Sequence, residues 1–150
     1  MYSILSYGIV LWGSSTDAHK VFINQKSIIR TIARCNIRTP CRALFQNFNI
    51  LTLPSIFILE VSKMVHYNPD MFKQYLFNHQ YNTRNKDSFQ YPIHNLKKIE
   101  TSPLYMGLKV YNKIPNHFKV LKLSKFASEL KKALTHKAYY SLGEFFNDVW

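Results

Sequence analysis

The chain has 150 residues, 47% of them hydrophobic and 15% aromatic, which excludes a disordered polypeptide and leaves room for one domain or two small ones. Lysine and arginine outnumber aspartate and glutamate by 20 to 8, a net charge of +12 that points to polyanions or anionic surfaces as partners. A chain of this length buries roughly 70% of its extended surface on folding, so no disulfide or metal staple is needed.

In chain order, Met1 to Trp12 is apolar, with Tyr2, Leu5, Ile9 and Trp12 at helical spacing. It has no basic leader and no small-residue cleavage site, and it is shorter than the about 20 residues that cross a bilayer. The apolar pattern starts without a cap, as in a helix whose upstream neighbours are missing, and its stripe needs a cover. The expectation is a marginally stable or self-associating chain in which residues 1–13 are the least well anchored part. The run DAHKVFINQKSIIRTIAR predicts a helix capped by Asp17, with Val21, Ile28, Ile29 and Ile32 on one side and Lys20, Lys26, Arg30 and Arg34 across the other. Gln25 falls in the middle of an apolar face, where a buried, hydrogen-bonded amide is the favoured reading. From Ala18 to Leu59 there is no acid, but Lys20, Lys26, Arg30, Arg34, Arg38 and Arg42 are all basic.

Thr39 and Pro40 predict the start of a short helix, Pro54 that of a longer one and Asn68-Pro69-Asp70 that of a third. Glu60 and Lys63 interrupt the apolar run from Ile50 to Tyr67, and no membrane span is expected. Residues 78–101 show no helical period and exceed an ordinary connection, which marks a linker between a helical region 1–77 and a basic helical region 102–150. Ser102, Pro103 and Pro115 bracket a helix with Leu104, Leu108 and Tyr111 inward, flanked by Met106, Val110 and Ile114. Its other face holds Tyr105, Lys109, Asn112 and Lys113. Tyr105 beside two lysines is either a platform for a base with cations for its phosphates, or a ring packed under another element. From Thr101 to Lys137 there are eight lysines against Glu129 alone. Phe126, Leu130, Ala133 and Leu134 form the stripe of a further helix. Ser141 and Glu144 read as a capping box, with Tyr140 and Phe145 as its hydrophobic staple. No stretch alternates between paired turns, so the expected fold is all-α.

Catalytic chemistry is sparse. The eight acids never pair, so no carboxylate cluster of the kind that holds two Mg²⁺ ions is written in the chain. Pro69-Asp70 with Glu129-Leu130-Lys131 echoes a nuclease pattern, but Glu129 stands where a surface ion pair with Lys125 or Lys132 belongs. Cys35 and Cys41 match no zinc spacing, the histidines lack paired spacing, and there is no glycine-rich phosphate loop. Two reduced thiols suit an intracellular protein, nuclear or cytoplasmic, with a Cys35–Cys41 disulfide as the alternative. The basic helical faces remain as the readable feature, and they suit phosphate contact.

Read in order, SYGIVLWGSS, VFINQKSIIRTIAR, CRALFQNFNILTLPSIFILE, HQYNTRNK and SPLYMGLKVYNKIPNHFK resemble the C-terminal, thumb and post-thumb region of reverse transcriptases from jockey-like non-LTR retrotransposons. The resemblance runs to about Phe126 and more loosely beyond. Tyr7, Gly8, Trp12 and Gly13 match the thumb motif, and Gln25, Lys26 and Arg30 match the helix after it. Tyr81, Thr83 and Arg84 match a Y-x-T-R element, and Tyr111, Asn112 and Pro115 a later one. The resemblance implies an RNA-directed DNA polymerase whose Mg²⁺-binding palm lies upstream. This piece would then have no catalytic residues or cofactor of its own and no activity alone. It would grip RNA or an RNA–DNA duplex through Lys20, Lys26, Arg30, Arg34, Arg84, Tyr105, Lys109 and Lys113. The competing expectation is a non-catalytic interaction scaffold, or a domesticated binding module, docking on a palm or another protein through residues 1–13.

Overall fold

Thr52, Leu53 and Pro54 show why the longest apolar segment begins where it does. The computed structural model describes residues 2–73 and 88–150, and in it this segment is the helix α5, Leu53–Tyr67, one residue earlier than Pro54 suggests. The first four amides of a helix lack partners inside it. Here Leu53 N–H donates to Gln25 Oε1 at 2.8 Å, Ser55 N–H to Thr52 Oγ1 at 3.3 Å and Ile56 N–H to the Thr52 carbonyl at 2.9 Å. Pro54 has none to satisfy. With every donor answered, α5 can be buried nearly all round, including Leu53, Ile56, Phe57, Ile58, Leu59, Val61 and Val65. No helix among the described residues is long and apolar enough to cross a membrane.

The other helices pack around α5. Before it come α1 (Tyr2–Ser6), α2 (Ile9–Trp12), α3 (Ala18–Ile32) and α4 (Arg42–Asn47). After it come α6 (Pro69–Phe72), a 3₁₀ turn at Lys97–Thr101, α7 (Pro103–Lys113), α8 (Asn116–Lys119), α9 (Leu123–Lys137) and α10 (Leu142–Asn147). The described residues hold no β-sheet, and the fold is all-α as expected. Helices α1, α2, α3, α6, α7 and α9 all touch α5, so segments from both ends of the chain share one core.

The N-terminal stripe does not form one helix. Gly8 takes φ +60° and breaks it into α1 and α2, which buries Ile9 completely but leaves Ile4, Tyr7 and Leu11 more than three-quarters exposed. A Cβ on Gly13 would lie 2.4 Å from Phe57 Cδ2 and 2.7 Å from the Ile9 carbonyl, so only glycine lets this turn lie against α5. Trp12 Nε1 closes it by donating to the Tyr7 carbonyl at 3.1 Å.

Helix α3 differs from expectation in its rotation. Its inward face is Ala18, Phe22, Gln25 and Ile29, whereas Ile28 and Ile32 are 47% and 55% exposed. Phe22 decides the rotation by meeting Phe45 and, edge-on at 5.2 Å, Tyr140. Asp17 precedes α3 without a side-chain capping bond and instead pairs with Lys20 at 2.8 Å. Helix α4 starts at Arg42 rather than after Thr39, whose carbonyl is held by Arg30 Nε at 3.0 Å. Asn68 likewise makes no cap for α6; its amide donates back to the Met64 carbonyl at 2.9 Å.

The two later helices match expectation more closely. Ser102 caps α7 by accepting from the Tyr105 amide at 3.3 Å, and α9 turns Phe126, Leu130 and Leu134 fully inward. Ser141 Oγ accepts from the Glu144 amide at 3.1 Å, but the Glu144 carboxylate reaches one residue further back, to the Tyr140 amide at 2.7 Å. The staple also shifts. Ala138 in the left-handed region at φ 47° reverses the chain, so Tyr139 meets Phe145 edge-on while Tyr140 goes to Phe22 and Phe45.

Candidate functional site

The polar residue singled out on α3 is structural. Gln25 is 2% exposed, donates through Nε2 to the Leu51 carbonyl at 2.9 Å and accepts from the Leu53 amide. Beside it, the outer flank of α3 carries Lys26 and Arg30 one turn apart. The Lys26 ammonium lies 4.8 Å from the centre of the Phe22 ring and 5.8 Å from that of Tyr140. The Arg42 guanidinium, from the first turn of α4, stands 4.6 Å over the same Tyr140 ring and pairs with Glu144 at 2.7 Å. Two basic side chains from two helices therefore lie over one aromatic ring, with Arg30 one turn beyond Lys26 and held by the Thr39 carbonyl. The Tyr140 hydroxyl is buried without a hydrogen-bond partner among the described residues. Burial pushes its ionisation up, while Arg42 and Arg30 pull it the other way.

Lys20 and Arg34 lie apart from this group. Lys20 sits in the first turn of α3 paired with Asp17, and Arg34 is exposed beyond its end, held at φ 53°. Arg42 and Tyr140 were not singled out as a site in the sequence. Arg42 was visible as the last cation of the acid-free run, and Tyr140 only as a staple residue, because their meeting depends on α10 returning beside α4.

The second expected face, on α7, is partly covered. Tyr105 packs against Tyr91 at 5.2 Å and edge-on to His94 at 5.1 Å, and burial raises its ionisation. The packed reading therefore describes this ring's surroundings. Residues 88–101 cross over α7, and Asn112 holds them by accepting from the Phe89 amide at 2.8 Å and donating to its carbonyl at 2.8 Å. The Lys109 ammonium points away, to 5.0 Å from the Phe146 ring, and Lys113 is half-buried at the end of α7. Arg84, with Tyr81 and Thr83, lies outside the described residues.

The titratable interior is also structural. His66 stacks on Phe126 at 3.9 Å, with Nδ1 2.8 Å from the Tyr111 hydroxyl and Nε2 3.2 Å from the Leu121 carbonyl. Burial lowers the His66 pKa and pushes that of Tyr111 up to about 12. Asp148 accepts hydrogen bonds from Lys137 and Tyr139, which hold its carboxyl below the usual range. Cys41 is buried with its thiol toward the Lys26 and Thr39 carbonyls, and Cys35 is exposed. Asp70 and Glu129, the acids of the nuclease-like echo, pair with Lys73 at 2.5 Å and Lys132 at 2.8 Å. Among the described residues no three His, Cys, Asp or Glu side chains come together.

What the arrangement supplies is positive charge next to aromatic surface. Comparison of the chain with protein-family models, with curated proteins and with solved structures finds no match.

Proposed function

We propose that the chain is a C-terminal, non-catalytic piece of a jockey-like RNA-directed DNA polymerase, and that it contacts the backbone of RNA or an RNA–DNA duplex through the α3–α4 face. The observation that carries this reading is the placement of Lys26 and Arg42 over the Tyr140 ring, with Arg30 one turn from Lys26, in a stretch without an acid between Ala18 and Leu59. Basic side chains on a rigid helix pair neutralise phosphates without reading sequence, which is what a thumb gripping a template–primer needs. Glu144 offsets part of the Arg42 charge, so Lys26 and Arg30 contribute most. The order of the five sequence motifs supports the family assignment, and the isolated acids fit a piece that leaves polymerisation to an upstream palm.

Fluorescence anisotropy with an RNA–DNA hybrid tests it. With about three phosphate contacts, log K falls against log[salt] with a slope of roughly −2.7, and replacing Lys26 and Arg30 by glutamine makes that slope shallower by about 1.8. A slope near zero, or one unmoved by the two replacements, removes the α3–α4 face from the account. A scaffold reading is favoured by one observation, the exposure of Ile4, Tyr7 and Leu11 on neighbouring turns. Serine at those three positions leaves hybrid binding unchanged if the α3–α4 face carries the function, and abolishes partner capture if the scaffold reading holds.

A further inference from the structure

A groove of about 460 Å³ separates α4 from α9, on neither of the faces described above. Ser128, Lys132 and His136 recur at four-residue spacing along one side of α9 with Lys131 beside Lys132, and Gln46 and Asn49 face them from the end of α4. The two walls are fixed to each other, because Gln46 Nε2 donates to the His136 carbonyl at 2.6 Å. Asn49 sits at φ 52°, a conformation that asparagine tolerates better than most side chains.

The groups in this groove divide into those already engaged and those left over. Gln46 is used by the tether, and Lys132 pairs with Glu129 at 2.8 Å. The Asn49 side-chain amide, the Ser128 hydroxyl and the His136 ring make no hydrogen bond to any described residue. Lys131 has no acid partner among the described residues; its ammonium lies 5.3 Å from the centre of the Tyr2 ring, which leaves its charge uncompensated. The lining contains no carboxylate, and its one ring is the His136 imidazole. Spare donors and a spare cation without an acid select an anion with several acceptor oxygens.

We propose that the α4–α9 groove binds a phosphate group, held by the Lys131 charge and by donors from Ser128, Asn49 and His136. The phosphate can belong to a nucleic-acid backbone or to a free phosphorylated ligand, and the chemistry at the groove is the same. The site is separate from Lys26, Arg30 and Arg42, so it stands or falls independently of the α3–α4 face.

The test is a titration of the full chain, followed by amide chemical shifts, with inorganic phosphate in one arm and a short oligouridylate in the other. The expected result is saturable shifts centred on Asn49, Ser128, Lys131 and His136. Shifts with both ligands at similar affinity assign a free phosphorylated ligand; much tighter binding of the oligonucleotide assigns the backbone. The variant Lys131→Gln/Ser128→Ala, both positions exposed, keeps the wild-type melting curve and weakens binding by about tenfold, the effect of losing one charge-assisted hydrogen bond. For the oligonucleotide its salt slope becomes shallower by about 0.7, one phosphate contact on a single strand. The Lys26→Gln/Arg30→Gln variant leaves the groove shifts unchanged, which separates failure here from failure of the α3–α4 reading. No shifts in either arm, or affinity unchanged in Lys131→Gln/Ser128→Ala, overturns the proposal.

Discussion

Replacing Gln25 by methionine keeps the length of the side chain and removes both of its hydrogen bonds. The Leu51 carbonyl and the Leu53 amide are then left without partners in residues that are 3% and 2% exposed. A buried polar group stripped of its partner costs about 1–3 kcal/mol, so the two together cost roughly 2–6 kcal/mol. Burying a thioether in place of an amide offsets about 1–2 kcal/mol of that. The expected net loss of about 1–4 kcal/mol is a large share of the roughly 5–15 kcal/mol that holds a domain together. Urea unfolding followed by circular dichroism measures it as a lower midpoint at unchanged slope. Gln25→Glu separates hydrogen bonding from shape. Protonated, it can accept from Leu53 and donate to Leu51; ionised, it sets a carboxylate against a carbonyl. Its folded-state pKa is therefore raised, so that variant is most stable below the ordinary glutamate range and loses stability as the pH rises through the folded value. A methionine variant as stable as wild type, or a glutamate variant without pH dependence, refutes the bridging role of Gln25.

Two further outcomes follow from the same core. Gly13→Ala places a methyl group 2.4 Å from the Phe57 ring and 2.7 Å from the Ile9 carbonyl, and a loss of about 1–3 kcal/mol is expected in the same unfolding experiment. For His66, burial lowers the folded pKa below the ordinary 6.5, so the unfolded chain binds more protons. The stability this histidine supplies is full above pH 6.5 and drains away as the pH falls through that value toward the folded pKa. Melting temperatures recorded between about pH 8 and pH 5 show this decline, and His66→Phe, which keeps a ring against Phe126, removes its share.

What could be read in the sequence was what local chemistry settles. Ser102 before Pro103 cannot do much except cap a helix, and the stripe of Phe126, Leu130 and Leu134 has no rival on α9. Helix α3 shows the opposite case. Its isoleucines outnumber its aromatics, so spacing alone favours Ile28 and Ile32, and only the distant rings of Phe45 and Tyr140 rotate Phe22 inward. Gly8 lay within an apolar period that one left-handed residue breaks. Tyr105 had two readings because its cover, Tyr91 and His94, comes from a segment without periodicity. Of the candidate site, Lys26 and Arg30 were legible as cations one turn apart on a single helix. Their company with Arg42 and Tyr140 depends on chain reversals at Ala138 and Ser141.

The hydrogen bonds that lock this fold span most of its length. Ser14 donates to the Thr101 carbonyl, Gln46 to that of His136, and Thr52 to that of Tyr139, separations of 87, 90 and 87 residues. Such contacts form late, because a long loop must close before any of them forms. During synthesis α5 leaves the ribosome long before α7 and α9, so the faces of α5 that those two helices cover stay exposed until the last third of the chain has been made. Until then the nascent chain carries apolar helix surface that is prone to association unless it is shielded. A stall in translation between α5 and α9 presents the same apolar surface that the finished protein hides most thoroughly.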